Sequence, residues 1–181
     1  MILGFSSVFP NGVLKGKRTH FVEKIHVSLK YNNEHSISSI YKNWFEEKQI
    51  LKGYNFNFKV GVDCKPKRHT IRVDEKRRWK PGMKIHFYIN VRRKRMFNFA
   101  PILHVKSVQK IEIVRVVNVF TPYTIQCNNK TYQILIEGQC LKYETIVQLI
   151  YNDGFDTVKD FFEWFDKDFS GVLIHWTDLK Y

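Results

Sequence analysis

The side chains best suited to chemistry lie in one short basic segment, Lys67 to Arg72. The segment is predicted to be an extended strand, in which successive side chains point to opposite faces. Thr70 and Arg72 then share one face, and Lys67 stands near the start of the same strand. An arginine fork, a lysine charge and a threonine hydroxyl that converge on one point would suit a phosphate group or a carbonyl oxygen. The alternative interpretation is an edge strand whose charges prevent pairing with another sheet.

The positive charge of the chain is concentrated around this segment. The formal net charge is +13, and residues 65–95 hold thirteen Lys and Arg against two Asp and Glu. So dense a positive field favours an anionic partner, here nucleic acid or a nucleotide-like ligand, whereas charge that serves only solubility is usually dispersed. The residues predicted to bind nucleic acid are Lys67, Arg68, Arg72, Arg77, Arg78, Trp79, Arg92, Arg93, Lys94 and Arg95.

The last part of the basic stretch adjoins aromatic residues. Arg92 to Arg95 form a basic run that directly precedes Met96, Phe97 and Phe99. Basic residues beside aromatic ones suit single-stranded nucleic acid, because its bases stack and its phosphates need counter-charge. A solvated hairpin tip next to core aromatics is the alternative that the sequence leaves open.

The elements that would position these residues are predicted from periodicity and turn signals. Several β-like segments follow one another across turns, without the strand–helix alternation of a parallel sheet. The predicted fold class is therefore α+β, with a mostly antiparallel sheet curled into a small barrel and with flanking helices. Asp156 is the predicted N-cap of the last helix, and Ser170-Gly171 its end. Helices are predicted at 19–30, 31–52, 143–151 and 156–165, and strands at 1–9, 54–62, 69–73, 83–91, 102–120, 124–126, 132–136 and 172–176.

Composition bounds the class of protein. A length of 181 residues suits a single domain, 1–181, and no apolar run approaches the roughly 18–20 residues of a membrane span. The first residues do not have the pattern of a signal peptide.

Cys64, Cys127 and Cys140 form no CxxC pair, and the histidines lack the spacing of a zinc-protease helix, so neither metal nor cofactor is expected. Reduced thiols favour a cytoplasmic location, and the oligomeric state stays open.

The basic segment also resembles a known family. Lys67 to Arg72 resembles the K-x-x-T-x-R core of the ASCH domain, a branch of the PUA-like superfamily. The similarity continues in Trp79 to Ile85, in Asp153 to Phe155 before the last helix, and in Leu173 to Trp176. The whole chain is also similar to ASCH-type proteins of Bacteroides-like bacteria and their phages, which carry no assigned activity. The resemblance implies a PUA-like β-barrel with an insertion at 31–62 before the motif.

The resemblance implies two functions. ASCH and PUA-like domains include RNA-binding modules, which makes a basic cleft for RNA or a nucleotide the leading hypothesis. Some small ASCH proteins instead remove the acetyl group from N4-acetylcytidine with a Lys, a Thr and a Glu. By resemblance, Lys67 and Thr70 would fill the first two roles, and Asp153 would replace the glutamate. A phage-type or structural interaction protein is a third class that the sequence leaves open.

Overall fold

The computed structural model describes residues 1–31 apart from 11 and 13, and residues 65–181 apart from 118. The insertion predicted at 31–62 lies, after its first residue, outside the described residues, as does the strand predicted at 54–62. The described residues form ten strands and three helices. In chain order these are β1 Ile2–Phe5, α1 Phe21–Tyr31, β2 His69–Arg72, β3 Lys84–Ile89, β4 Phe97–Asn98, β5 Leu103–His104, β6 Ser107–Val116, β7 Ile125–Cys127, β8 Lys130–Ile136, β9 Gln139–Cys140, α2 Tyr143–Asn152, α3 Val158–Trp164 and β10 Phe169–His175.

The strands form two sheets. The larger sheet has six strands in the order β2–β10–β6–β8–β7, with β9 also paired to β8, and all its pairs are antiparallel. In the smaller sheet β1 runs parallel to β3, which pairs antiparallel with β4 and β5. The prediction of an α+β protein with mostly antiparallel sheets is confirmed.

The pairing of the described strands does not close into the predicted barrel. β1 and β2 each end the strand order of their own sheet, so each has one edge without a strand partner among the described residues. The two edges are linked by a side chain and not by a backbone ladder. Arg72 Nη2 on β2 donates a hydrogen bond to the Gly4 carbonyl on β1 at 2.7 Å. We call this junction between the sheets the seam.

Helix α1 packs its apolar face onto an aromatic core, as its spacing predicts. Phe21, Ile25 and Leu29 recur at helical intervals and are buried. Trp176 Nε1 donates to Ser28 Oγ at 3.3 Å, which ties α1 to the end of β10. The rings at the centre of this core lie 5.3 to 6.3 Å apart between centroids and belong to Phe5, Phe87, Phe99 and Trp176.

The boundaries of α3 differ from prediction at both ends. Thr157, not Asp156, is its N-cap, and Thr157 Oγ1 accepts a hydrogen bond from the first turn. Asp156 instead accepts a hydrogen bond from Lys24 Nζ at 2.6 Å, although the two residues are 132 positions apart. Both residue types are good N-caps, so local preference could not decide between them. Ser170 and Gly171, predicted to end this helix, lie within β10 because they pair with β6.

Candidate functional site

A buried lysine–aspartate pair joins the start of β2 to the end of α2. Lys67 is 1% exposed and Asp153 is 4% exposed. Lys67 Nζ donates to Asp153 Oδ1 at 2.9 Å and also to the Asp153 carbonyl. Asp153 is the C-cap of α2, and Gly154 follows it with a φ of +89°. A Cβ on Gly154 would lie 3.0 Å from Lys67 Cδ, so glycine makes room for the lysine stem as well as for the turn.

Asp153 also holds the free edge of β2. Ile71 N–H donates to Asp153 Oδ1 at 3.2 Å, and His69 Nδ1 lies 3.4 Å from the same oxygen. Since β10 occupies the other edge of β2, the carboxylate satisfies a backbone donor that has no strand beside it. Buried polar groups need such partners, and Asp153 therefore serves both the ammonium and the strand.

Burial and neighbouring charges set the protonation of this pair. Burial lowers the pKa of Lys67 to about 8, and the attraction of Asp153 opposes the shift only in part. Burial alone would raise the pKa of Asp153, but Lys67 and His69 outweigh it and hold that pKa below its ordinary value. At neutral pH the two groups therefore form an ion pair, and Lys67 gives up its proton under mildly alkaline conditions.

Two histidines and a tyrosine extend the pair into a larger group, which we call the buried cluster: Lys67, His69, Asp153, His175 and Tyr181. His69 and His175 are register partners in β2 and β10, with ring centroids 5.1 Å apart. The Tyr181 hydroxyl lies 2.9 Å from His69 Nε2. Both ring nitrogens of His175 are buried and lack a hydrogen-bond partner among the described residues. Burial lowers the pKa of His175 to about 3, so its ring is neutral at physiological pH.

Thr70 does not join this cluster through a described contact. It is buried, it pairs with Ile174 across the sheet, and strand alternation puts its side chain on the face opposite His69. In the part of the chain that the structure describes, no hydrogen bond links its hydroxyl to Lys67 or Asp153. Two of the three residues expected for an amidohydrolase are therefore in direct contact.

A second candidate site lies at the seam between the two sheets. It is a groove of about 600 Å³ that we call the arginine groove. Four of the predicted binding residues line it, namely Trp79 and the three arginines Arg72, Arg78 and Arg92. The described residues of its wall include no Asp or Glu. Apart from the arginines, most of these residues are apolar, among them Ile2 and Met96. The groove is therefore electropositive with apolar sides.

The three groove arginines differ in how fully other groups engage them. Arg72 donates to the Gly4 carbonyl, and its guanidinium carbon lies 5.1 Å from the centre of the Phe5 ring. The Arg78 side chain is 64% exposed, with Nε 3.8 Å from Asp74 Oδ1. Arg92 is exposed, and no described residue forms a hydrogen bond or an ion pair with its guanidinium.

Asp74 does not line the groove, but it holds the backbone of two residues that do, and it was not singled out from the sequence. Its two carboxylate oxygens accept hydrogen bonds from Arg78 N–H at 3.0 Å and from Trp79 N–H at 2.9 Å. This turn presents Arg78 to solvent and buries the Trp79 side chain. Trp79, one of the predicted binding residues, is thus a buried part of the groove wall. The Asp74-Glu75 pair directly before the basic run Lys76 to Arg78 is the signal that could have revealed Asp74.

The structure divides the single cleft expected from the sequence between the buried cluster and the arginine groove. Arg77 belongs to neither, since it lines another cavity with Glu75 and Glu137. Arg68 is half-buried, and its N–H donates to the Asn152 carbonyl at 2.7 Å. The other predicted binding residues are exposed on the turn between β3 and β4 and are Arg93, Lys94 and Arg95.

Three further observations bear on function. Within the described ranges, no three His, Cys, Asp or Glu side chains are grouped so that they could hold a metal ion. None of the helices there has the length and apolar character to cross a bilayer. Comparison with family models, curated proteins and solved structures found no match to the chain.

Proposed function

We propose that the chain is a nucleic-acid-binding module of the ASCH type, and that it binds single-stranded RNA or one nucleotide unit in the arginine groove. The proposal rests mainly on one observation: Arg72, Arg78 and Arg92 line a single groove, and the described residues of its wall include no acidic residue. In this proposal the two sheets on either side of the seam correspond to an opened PUA-like barrel. The module would be a cytoplasmic protein without a cofactor.

The dimensions and chemistry of the groove support a ligand the size of a nucleotide. Its volume of about 600 Å³ lies within the roughly 300–1,000 Å³ typical of small-ligand sites. Guanidinium forks bind phosphate oxygens in pairs, and the apolar wall offers surface to a sugar or a base. Arg93 and Lys94, exposed on the adjacent turn, extend the positive field along a strand.

Fluorescence anisotropy with labelled RNA and DNA strands of about ten nucleotides tests the proposal. Each phosphate contact to a single strand contributes a slope of about −0.7 to the dependence of log K on log[salt]. With roughly four to six contacts, we expect a slope of about −3 to −4. Micromolar protein that binds neither strand at low salt would contradict the proposal.

A matched pair of variants locates the binding. Arg78→Gln/Arg92→Gln should weaken binding and flatten the salt slope, because it removes two groove charges. Lys159→Gln/Lys167→Gln removes the same charge outside the groove wall and should change neither quantity appreciably. Equal losses in the two variants would mean that net charge, not the groove, drives binding.

A second candidate function is amidohydrolysis of an N4-acetylcytidine-like nucleoside, and the contact between Lys67 and Asp153 at 2.9 Å favours it. This mechanism requires the Thr70 hydroxyl to come within reach of Lys67, a contact that the described residues do not make. Thr70 Oγ would then attack the acetyl carbonyl while neutral Lys67 accepts the hydroxyl proton. Asp153 relays that proton to the leaving cytosine nitrogen, and water then hydrolyses the acetyl-threonine ester. The lowered pKa of Lys67, about 8, leaves a neutral fraction able to act as the base.

Release of cytidine from N4-acetylcytidine tests this second candidate. Thr70→Val, which keeps the shape of the side chain, and Lys67→Ala should both abolish turnover. Asp153→Glu should retain or raise it, because the family residue is Glu. Wild-type turnover no faster than that of Lys67→Ala would remove the amidohydrolase proposal and leave the binding proposal intact.

A further inference from the structure

The groove arginines are unequal, and this inequality points to a specific ligand contact. We infer that Arg92 is the principal ligand of a nucleic-acid phosphate, with Arg78 beside it, and that Arg72 supports the fold instead of binding phosphate. The inference rests on the proposed binding function. It assigns to each arginine a role that the sequence could not distinguish.

Arg92 has an unfavourable backbone conformation. Its φ of +63° lies in the left-handed region, where a Cβ meets the neighbouring carbonyl and where Gly or Asn is favoured. Asn90, in the same turn, also has a positive φ, of +52°, but asparagine tolerates it. Glycine would adopt this backbone conformation with less strain than arginine. The presence of an arginine at this position therefore points to a role for its side chain.

The turn between β3 and β4 is closed on both sides of Arg92, so the arginine is held in place. Ile89 and Phe97 pair across the hairpin, and Arg93 N–H donates to the Asn90 carbonyl at 3.0 Å. Met96 N–H donates to the Arg93 carbonyl at 2.9 Å. A turn closed in this way presents the Arg92 side chain to the groove with little further loss of backbone entropy on binding.

The partners of each arginine complete the assignment. Arg92 has no described hydrogen-bond or ion-pair partner, so its fork of donors is free for a phosphate. Arg72 is engaged by the Gly4 carbonyl and by the Phe5 ring, and these contacts join the two sheets at the seam. Left-handed backbone alone is not diagnostic, since Arg77 shares it at +47° but lies in a cavity with acidic side chains.

Two glycine variants of the same turn test the inference. Arg92→Gly and Arg93→Gly each remove one positive charge, but only Arg92 has a positive φ. Arg92→Gly should raise Tm by about 1 to 3 °C, because glycine relieves the backbone. It should also weaken single-stranded RNA binding about tenfold and reduce the salt slope by about 0.7, the value of one phosphate contact. Arg93→Gly should lower Tm and weaken binding by less than about threefold.

Controls separate the inference from the binding function itself. Arg92→Lys should restore the salt slope while losing part of the affinity, because the charge returns without the fork. An RNA-like strand with a neutral methylphosphonate backbone should not distinguish Arg92→Gly from wild type. Wild type that binds RNA while the two glycine variants lose equal affinity, or while Arg92→Gly keeps the full slope, overturns the inference alone. Wild type that binds no strand overturns the proposed function and the inference together.

Discussion

Asp153 is the residue on which the buried cluster depends most. Its carboxylate is the counter-charge of Lys67, whose ammonium otherwise lies 4.6 Å from the centre of the Phe21 ring and beside a backbone carbonyl. The same carboxylate accepts from the Ile71 N–H on the free edge of β2. Loss of the carboxylate would therefore leave the Lys67 ammonium without its counter-charge and the Ile71 N–H without its acceptor.

We predict that Asp153→Asn lowers the free energy of unfolding by about 3 to 5 kcal/mol, as breaking a buried pair does. Urea denaturation followed by circular dichroism measures the loss. The double variant Lys67→Met/Asp153→Asn should lose less than the single variant, because it removes the buried charge as well. A single-variant loss below about 1 kcal/mol would show that the pair does not hold α2 against β2.

Acid should destabilise the fold through His175. The pKa of its ring is 6.5 in the unfolded chain and about 3 in the buried state, so between these values the unfolded state binds more protons. The contribution of neutral His175 to the free energy of unfolding is therefore fully present above pH 6.5. It is lost as the pH falls toward 3, by up to about 1.4 kcal/mol per pH unit. The lowered pKa of His69 acts in the same direction.

Urea midpoints between pH 7 and pH 5 measure this dependence. His175→Gln should have a flatter dependence than wild type, because the titrating group is gone. His104→Gln changes an exposed histidine and should keep the wild-type dependence. If His175→Gln lost stability with acid as steeply as wild type, the assignment to His175 would be wrong.

At the scale of the element, β10 leaves no room beside β2 for a side chain at Gly171. A Cβ there would lie 2.4 Å from the Arg72 carbonyl oxygen and 2.7 Å from the Phe169 ring. Gly171→Ala must therefore push β2 away, and we predict a loss of about 1 to 3 kcal/mol in unfolding free energy. Ser170→Ala, in the same strand, is the control and should change stability little. Equal unfolding curves for Gly171→Ala and wild type would contradict this account of the strand contact.

Local elements were predictable because local rules decide them. The apolar spacing of α1 sufficed for its helix. Asn128 and Asn129, a residue type that tolerates positive φ, form the β7–β8 turn and both have positive φ there. Non-local contacts were not predictable from spacing. The parallel pairing of β1 with β3 places Phe5 opposite Ile89, directly before the turn that carries Arg92, and no periodicity in either segment encodes it.

At the scale of the whole molecule, the candidate site was also predictable only where local sequence determines it. Charge counting located the basic stretch, which holds most of the net charge of +13. It could not separate Arg72, Arg78 and Arg92 from their neighbours, because only the folded chain puts these three on one groove. The partnership of Lys67 with Asp153, 86 positions apart, was expected from the family resemblance and not from spacing.

The most direct test of the central claim is to map the binding surface by nuclear magnetic resonance. The ¹⁵N-labelled chain would be titrated with a single-stranded RNA of about ten nucleotides, a length that several phosphate contacts require. The account predicts amide shift changes concentrated around the arginine groove, at residues 2–4, 72–79 and 91–96, with the Trp79 indole among them. Shift changes centred on residues 143–167, or none at saturating RNA, would contradict it.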